Sequence, residues 1–323
     1  MRQREAEAGS GVPGAPRARK KWVSHDLSNA IVYGGLHYGA RWLPTAVLNG
    51  INLVGNTLAI ALLRETQRGI RENFEVALGA SPKEAAAFGR RLFFEYGRST
   101  IDVWRLRGQA FTPVIETFDE DARILASCRR DGRGFLLVTG HVGNWEMGAV
   151  TLTRHGLTPA VVGQPELDPN VQQMRLALRR RLGVESIDIG SSMATAFQVR
   201  RAVDAGRAVA LLVDRAYPED RVFVPFFGRP TAFLRSPALL ARFCGCDILP
   251  GFFVRLSEGS YRNYWGEPLS PDPRLSPEED ALRLMGRVAK DLEGVIREYP
   301  TQWFNFYRFW DGTGEEPRGK APS

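Results

Sequence analysis

The sequence predicts an α/β fold, a mixed sheet flanked by helices with an N-terminal helical segment of high apolarity ahead of it. Two observations carry the class. Short apolar runs at 134–138, 160–163, 208–214 and 247–255 have the length of buried strands, and the longer stretches between several of them carry apolar residues at helical spacing. Strands alternating with helices build a layered sheet. The size agrees, because 323 residues that are 44% apolar and 24% charged can bury a full core, which excludes a chain disordered throughout.

Residues 1–21 are rich in Gly, Pro, Ala and Arg, end in a basic run, and read as a disordered basic tail. The first 25 residues contain no apolar core of a secretory signal, so export is not expected. Residues 22–66 read as a membrane-associating helical segment. Within it, 42–63 form 22 residues without a charge between Arg41 and Arg64, long enough to cross a bilayer. Pro44, Asn49, Asn52 and Asn56 oppose insertion through the membrane centre. A helix lying in one leaflet or docked on the domain is therefore expected, with an ordinary buried helical hairpin as the alternative. Residues 67–312 form the α/β domain and 313–323 a flexible tail. Helices are expected at 67–78 and 82–106, the second started by Ser81 and Pro82, with Phe88, Leu92, Phe93 and Tyr96 turned to the core. Two more are expected at 169–182 and 234–244.

The strand at 134–138 runs into Thr139-Gly-His-Val-Gly-Asn-Trp-Glu146, where Gly140 and Gly143 make a turn before a helix over 142–152. His141 then stands at a strand-to-helix junction. Positions five apart in a regular helix point about 140° away from each other, so His141 and Glu146 meet only across an irregular junction of this kind. With Glu146 accepting from one ring nitrogen, the other becomes a base for an attacking hydroxyl. Spacing alone is weak evidence: four His and 36 acidic residues predict about 0.4 such pairs by accident. The preceding strand and the Gly-Asn-Trp inside the pair add to it, against the alternative of a histidine that only ties a helix to a strand.

The chain resembles the late acyltransferases of lipid A biosynthesis, within the lysophospholipid acyltransferase-like group, over roughly residues 30–310. The resemblance rests on Gly-His-x-Gly-Asn-Trp-Glu at 140–146, on Arg179 with Gly183, on Val-Asp-Arg at 213–215, on Val-Phe-Val-Pro-Phe-Phe-Gly-Arg-Pro at 222–230, and on Pro-Thr-Gln-Trp at 300–303. Arg215 stands where Gln is usual, and the closing Asn-Phe-Tyr-Arg-Phe-Trp differs from a His-Arg-Arg-Phe ending. The resemblance implies a glycerolipid acyltransferase-like fold on the cytoplasmic face of a bacterial inner membrane. It also implies transfer of a fatty acyl chain from an acyl carrier protein or coenzyme A thioester to a hydroxyl of a lipid A precursor or related glycolipid. A phosphatidylinositol mannoside acceptor, or a membrane-binding homologue without turnover, is the alternative.

Composition fits such partners. A net charge of +7 suits phospholipid headgroups or an acidic carrier protein, and no zinc-finger, RNA-binding or helix-turn-helix pattern supports nucleic acid. Cys128, Cys244 and Cys246 are too few for a disulfide framework or a zinc site, so neither a metal nor a resident cofactor is expected. Gly-x-Ser-x-Gly and the P-loop are absent, and the Gly-x-Gly-x-x-Gly spacing at 9–14 falls in the Pro-rich tail with no apolar strand before it, so it is no dinucleotide fingerprint.

The expected chemistry is direct attack of a hydroxyl on an activated thioester, with His141 as base and Glu146 orienting it. Backbone amides at the start of the following helix would receive the oxyanion. Asn144, Arg179, Asp214, Arg215 and Phe226 are the expected substrate-binding residues. Arg179 offers a planar fork for phosphate, unless it belongs to a solvated basic face. Asp214 ends an apolar strand and needs a partner such as Arg215 or Arg179. Phe226, with Phe223 and Phe227, walls an acyl-chain tunnel or, alternatively, fills the core.

Overall fold

The computed structural model describes residues 43–106, 111–166, 168–189 and 192–310. The two expected tails lie outside these residues. Among the described residues three helices come first: α1 (Thr45–Leu62), α2 (Arg64–Leu78) and α3 (Pro82–Arg105). Ser81 caps α3 through a reciprocal box with Glu84, and Pro82 supplies the preset first turn.

The α/β domain follows as β1 (Val114–Ile115), α4 (Phe118–Ser127), β2 (Phe135–Thr139), α5 (Trp145–Arg154), β3 (Pro159–Gly163), α6 (Pro169–Arg181), β4 (Glu185–Asp188), α7 (Ser192–Asp204) and β5 (Ala208–Leu212). It is completed by β6 (Val222–Phe226), β7 (Arg229–Phe233), α8 (Ser236–Cys244), β8 (Ile248–Ser257), β9 (Ser260–Trp265) and α9 (Pro277–Glu298). The sheet order is β1-β9-β8-β2-β5-β3-β4, with β6 and β7 as a separate antiparallel hairpin. All pairings in the large sheet are parallel except β8 with β9.

Strand β2 is buried at all five positions, as a central parallel strand covered on both faces must be. Its side chains alternate between two cores. Leu136 and Val138 join the helices α8 and α9 through Ala241, Val288 and Leu292, while Phe135 and Leu137 join α5 through Met147 and Val150. The helix α9 is capped by Ser276 and Glu279 and buries a stripe of Leu284, Val288, Leu292 and Ile296.

The expected fold class is the observed one. Helix α5 starts three residues later than expected, at Trp145, because residues 140–144 are spent on an irregular loop. Gly143 adopts φ +66°, and a Cβ there would fall 2.2 Å from the carbonyl oxygen of Phe253, so only glycine fits the close approach of this loop to β8.

Gly79 also has positive φ, at +64°, but with open space around it. Gly143→Ala is therefore expected to destabilise the protein by about 3 kcal/mol or more, and Gly79→Ala by about 1 kcal/mol, in urea denaturation.

Candidate active site

Parallel pairing of β2 with β5 aligns Thr139 with Leu212, so His141 and Asp214, each two residues beyond, leave the same edge of the sheet side by side. Ligands of open α/β sheets bind at this carboxyl edge. The Nδ1 of His141 stands 2.6 Å from Oδ1 of Asp214, and the backbone N–H of His141 donates to both carboxylate oxygens at 3.1 Å. An ionised carboxylate only accepts, so the ring carries its proton on Nδ1 and presents Nε2 as the acceptor.

The surroundings fix both protonation states. Burial, then the charge of Arg215, lower the pKa of His141 below its ordinary 6.5 against the opposing pull of Asp214. Burial works to raise the pKa of Asp214, but the His141 ring and its donated hydrogen bonds, with Arg215 behind them, hold it down at about 2. At neutral pH the pair is a neutral imidazole on a carboxylate.

Glu146 does not touch this histidine in the role the spacing suggested. It is the second residue of α5, buried, and accepts from Nη2 of Arg179 at 2.9 Å. Burial would raise its pKa, yet Arg179 and Arg175 prevail and the carboxyl lies below the usual range. Arg175 is itself paired with Glu166. Arg179 therefore stands on a face of α6 turned to α5, its side chain mostly buried, and not on a solvated basic surface.

The remaining expected residues divide. Arg215 is beside the dyad, donating from Nε to Oδ1 of Asn305 at 3.3 Å and from Nη2 to the carbonyl of Phe304 at 2.9 Å, with its guanidinium over the Tyr307 ring. Asn144 is turned away: its Nδ2 donates to the carbonyl of Ser99 at 3.1 Å and to Tyr261 Oη at 3.3 Å, so it ties the loop to α3 and β9. Phe226 is fully buried among Phe227, Phe233, Trp303, Phe309 and Trp310, and serves as core where a tunnel wall was expected.

Three residues escaped sequence reasoning. Asn305 donates to Oδ2 of Asp214 at 3.5 Å, bridging Asp214 and Arg215, while the Trp145 ring meets His141 edge-on at 5.4 Å. The backbone N–H of Phe304 donates to the carbonyl of His141 at 2.8 Å. The block 300–310 was visible as a block, but nothing in it announces which side chain turns to the histidine. Of the backbone amides proposed for an oxyanion, Gly143 N–H is used by the carbonyl of Gln302 and Asn144 N–H by that of Phe253. The first turn of α5 has no side-chain cap. Among the described residues no group of three or more His, Cys, Asp or Glu is arranged to hold a metal.

The family model for bacterial lipid A biosynthesis acyltransferase matches residues 20–311. A phosphatidylinositol mannoside acyltransferase of Mycolicibacterium smegmatis is 25% identical over 88% of this chain and 95% of that protein. One of Mycobacterium tuberculosis H37Rv is 32% identical over 67% of each. The crystal structure of the 1-acyl-sn-glycerophosphate acyltransferase PlsC from Thermotoga maritima covers 80% of this chain and 97% of its own, at 16% identity and a TM-score of 0.38.

The two shifted groups predict how stability responds to acid. His141 folded binds its proton less readily than His141 unfolded, so stability falls as pH drops below 6.5. Asp214 stabilises the fold above its ordinary 3.8 and loses that contribution as pH falls towards 2. Urea titrations of wild type and Asp214→Asn are expected to differ by about 2 kcal/mol less at pH 2 than at pH 5.

Proposed function

This chain belongs to the bacterial lipid A biosynthesis acyltransferase family, and from that premise we propose that it transfers a fatty acyl chain from a thioester to a hydroxyl of a membrane glycolipid, with His141 as general base. The observation that carries the mechanism is the buried His141–Asp214 contact of 2.6 Å, which leaves Nε2 as a proton acceptor at the sheet edge. Nε2 takes the proton of the acceptor hydroxyl as its oxygen attacks the thioester carbonyl. Asp214 stabilises the imidazolium that forms, and the imidazolium returns the proton to the departing thiolate as the tetrahedral intermediate collapses. A thioester is already activated, so no acyl-enzyme is needed. The uncapped first turn of α5 offers amide hydrogens and a positive dipole end to the oxyanion.

The relatives at 25% and 32% identity, both named phosphatidylinositol mannoside acyltransferases, favour a glycosylated phospholipid acceptor over a lipid A precursor. The net charge of +7 suits either anionic donor, an acidic acyl carrier protein or a coenzyme A thioester with its phosphates.

The helix α1 supports attachment to the membrane. Its outer face exposes Val47, Ile51, Leu53, Val54, Leu58 and Leu62, and the helix is apolar and long enough to cross a bilayer. Its inner face is docked along α3: Asn52 donates to the carbonyl of Phe94 at 3.2 Å, Asn56 bonds to Asn52, and a Cβ at Gly97 would fall on the Asn52 side chain. The helix α3 carries exposed Arg90, Arg91 and Arg98, which cannot follow α1 through hydrocarbon. We therefore read α1 as lying in the plane of one leaflet, with Arg90 and Arg91 on anionic headgroups. The inner membrane and its cytoplasmic face are the setting this reading favours.

Purified protein given acyl carrier protein and coenzyme A thioesters, with phosphatidylinositol mannoside or lipid A precursor as acceptor, is expected to form an acylated glycolipid that disappears in His141→Ala. Fatty acid release without acylated lipid would show a hydrolase, and no His141-dependent turnover would remove the enzyme reading. Asp214→Asn is expected to lower kcat about 10³- to 10⁴-fold with KM little changed. Val54→Asp with Leu58→Asp is expected to abolish co-flotation with anionic vesicles while the fold, read by circular dichroism, persists.

A further inference from the structure

A cleft of about 440 Å³ opens between α1, α3 and the β8–β9 turn, with Gln302 in its lining. Its volume is that of a small-molecule site, about 300–1,000 Å³, but its lining is polar. Asn49, Glu95, Arg98, Arg255, Glu258 and Thr301 face it.

Three features bear on what it binds. First, the charges cancel. Arg98 pairs with Glu95 at 2.7 Å, Arg105 with Glu258 at 3.1 Å, and Arg255 with Asp102 at 2.8 Å, so the surroundings hold three guanidinium groups against three carboxylates. A phosphate finds no surplus of positive charge there, whereas a hydroxyl, which both donates and accepts, finds partners of each kind.

Second, the floor is rigid. Arg255 is only 9% exposed in its side chain and is held by Asp102, which also accepts from Tyr261 Oη at 2.6 Å. The Gln302 carboxamide bonds to both backbone groups of Arg255, at 3.0 and 2.7 Å. A charged group preset by buried partners is the arrangement that recognition of a polar ligand requires.

Third, the cleft joins the two parts of the molecule that a lipid acceptor must meet. Asn49 belongs to α1, whose outer face is exposed and apolar, and Gln302 accepts from Gly143 N–H at 2.9 Å, two residues from His141.

Resting on the proposed acyl transfer, we infer that this cleft binds the polyhydroxylated, uncharged headgroup moiety of the acceptor lipid, a sugar or cyclitol ring, and so selects which lipid presents its hydroxyl to His141. Asn144, turned away from the histidine, then has a place in the same device, because its bond to Tyr261 braces the group that holds Asp102 and Arg255.

Two variants test it, Arg98→Ala, which removes an exposed donor, and Ser257→Trp, which fills the cleft. With phosphatidylinositol mannoside as acceptor, each is expected to raise the acceptor KM about tenfold and to lower the ratio of lipid acylation to thioester hydrolysis by a similar factor. Saturation-transfer NMR with methyl α-D-mannopyranoside and myo-inositol is expected to show contact with the wild-type protein, and loss of it in both variants. An unchanged KM and ratio in both variants, or no saturation transfer from the wild-type protein, overturns the inference. Failure of the acyl-transfer reading is distinct: it appears as no His141-dependent thioester turnover, while the NMR arm still decides whether the cleft takes a polyol.

Discussion

A buried carboxylate is the constraint around which the site is arranged. Asp214 is almost wholly removed from water, a position that is costly for a charge unless donors surround it. The backbone N–H of His141, its ring Nδ1 and the Asn305 carboxamide all turn to it. Satisfying the carboxylate therefore sets the main-chain position of the histidine, its ring orientation and its tautomer together. The parallel register that aligns Thr139 with Leu212 makes this possible, because it delivers residues 141 and 214 to the same level.

The segment 302–310 closes the arrangement from the other side. Phe304 and Gln302 pair with His141 and Gly143 through backbone hydrogen bonds, and Trp303 anchors the segment in a cluster with Phe226, Phe309 and Trp310. Arg215 is fixed to this segment through Phe304 and Asn305, and its charge helps keep the imidazole neutral. The aromatic run whose residues were read as a tunnel wall thus acts at one remove: it holds the segment that holds the histidine.

Much of the fold was legible in the sequence. Strands β2, β3, β5 and β8 stand out as short apolar runs, and α3 is marked by its Ser-Pro start, because these signals are local. The helix α9 carries the same kind of Ser-Pro start at Ser276 and Pro277 but is not among the elements expected above. At the site, His141 was legible and its partner was not. Glu146 lies five residues away in sequence, but α5 begins at Trp145 and turns it towards Arg179 on α6. Asp214 was recognised as a carboxylate in need of a partner, yet the partner is 73 residues distant and depends on which strands are neighbours. Sheet order is a property of the whole chain, and no local pattern carries it. Asn144 illustrates the same limit, since its side chain answers Ser99 and Tyr261 from elements far apart in sequence.

The central claim is that Asp214, and not Glu146, holds the Nδ1 proton of His141 and leaves Nε2 as the base. Nitrogen-15 and proton NMR of the histidine side chains at neutral pH tests it most directly, comparing wild type with Asp214→Asn and Glu146→Gln. A neutral Nδ1–H tautomer with a strongly downfield proton is expected in the wild type and in Glu146→Gln, and its loss in Asp214→Asn. A signal that survives Asp214→Asn and vanishes in Glu146→Gln would contradict the assignment.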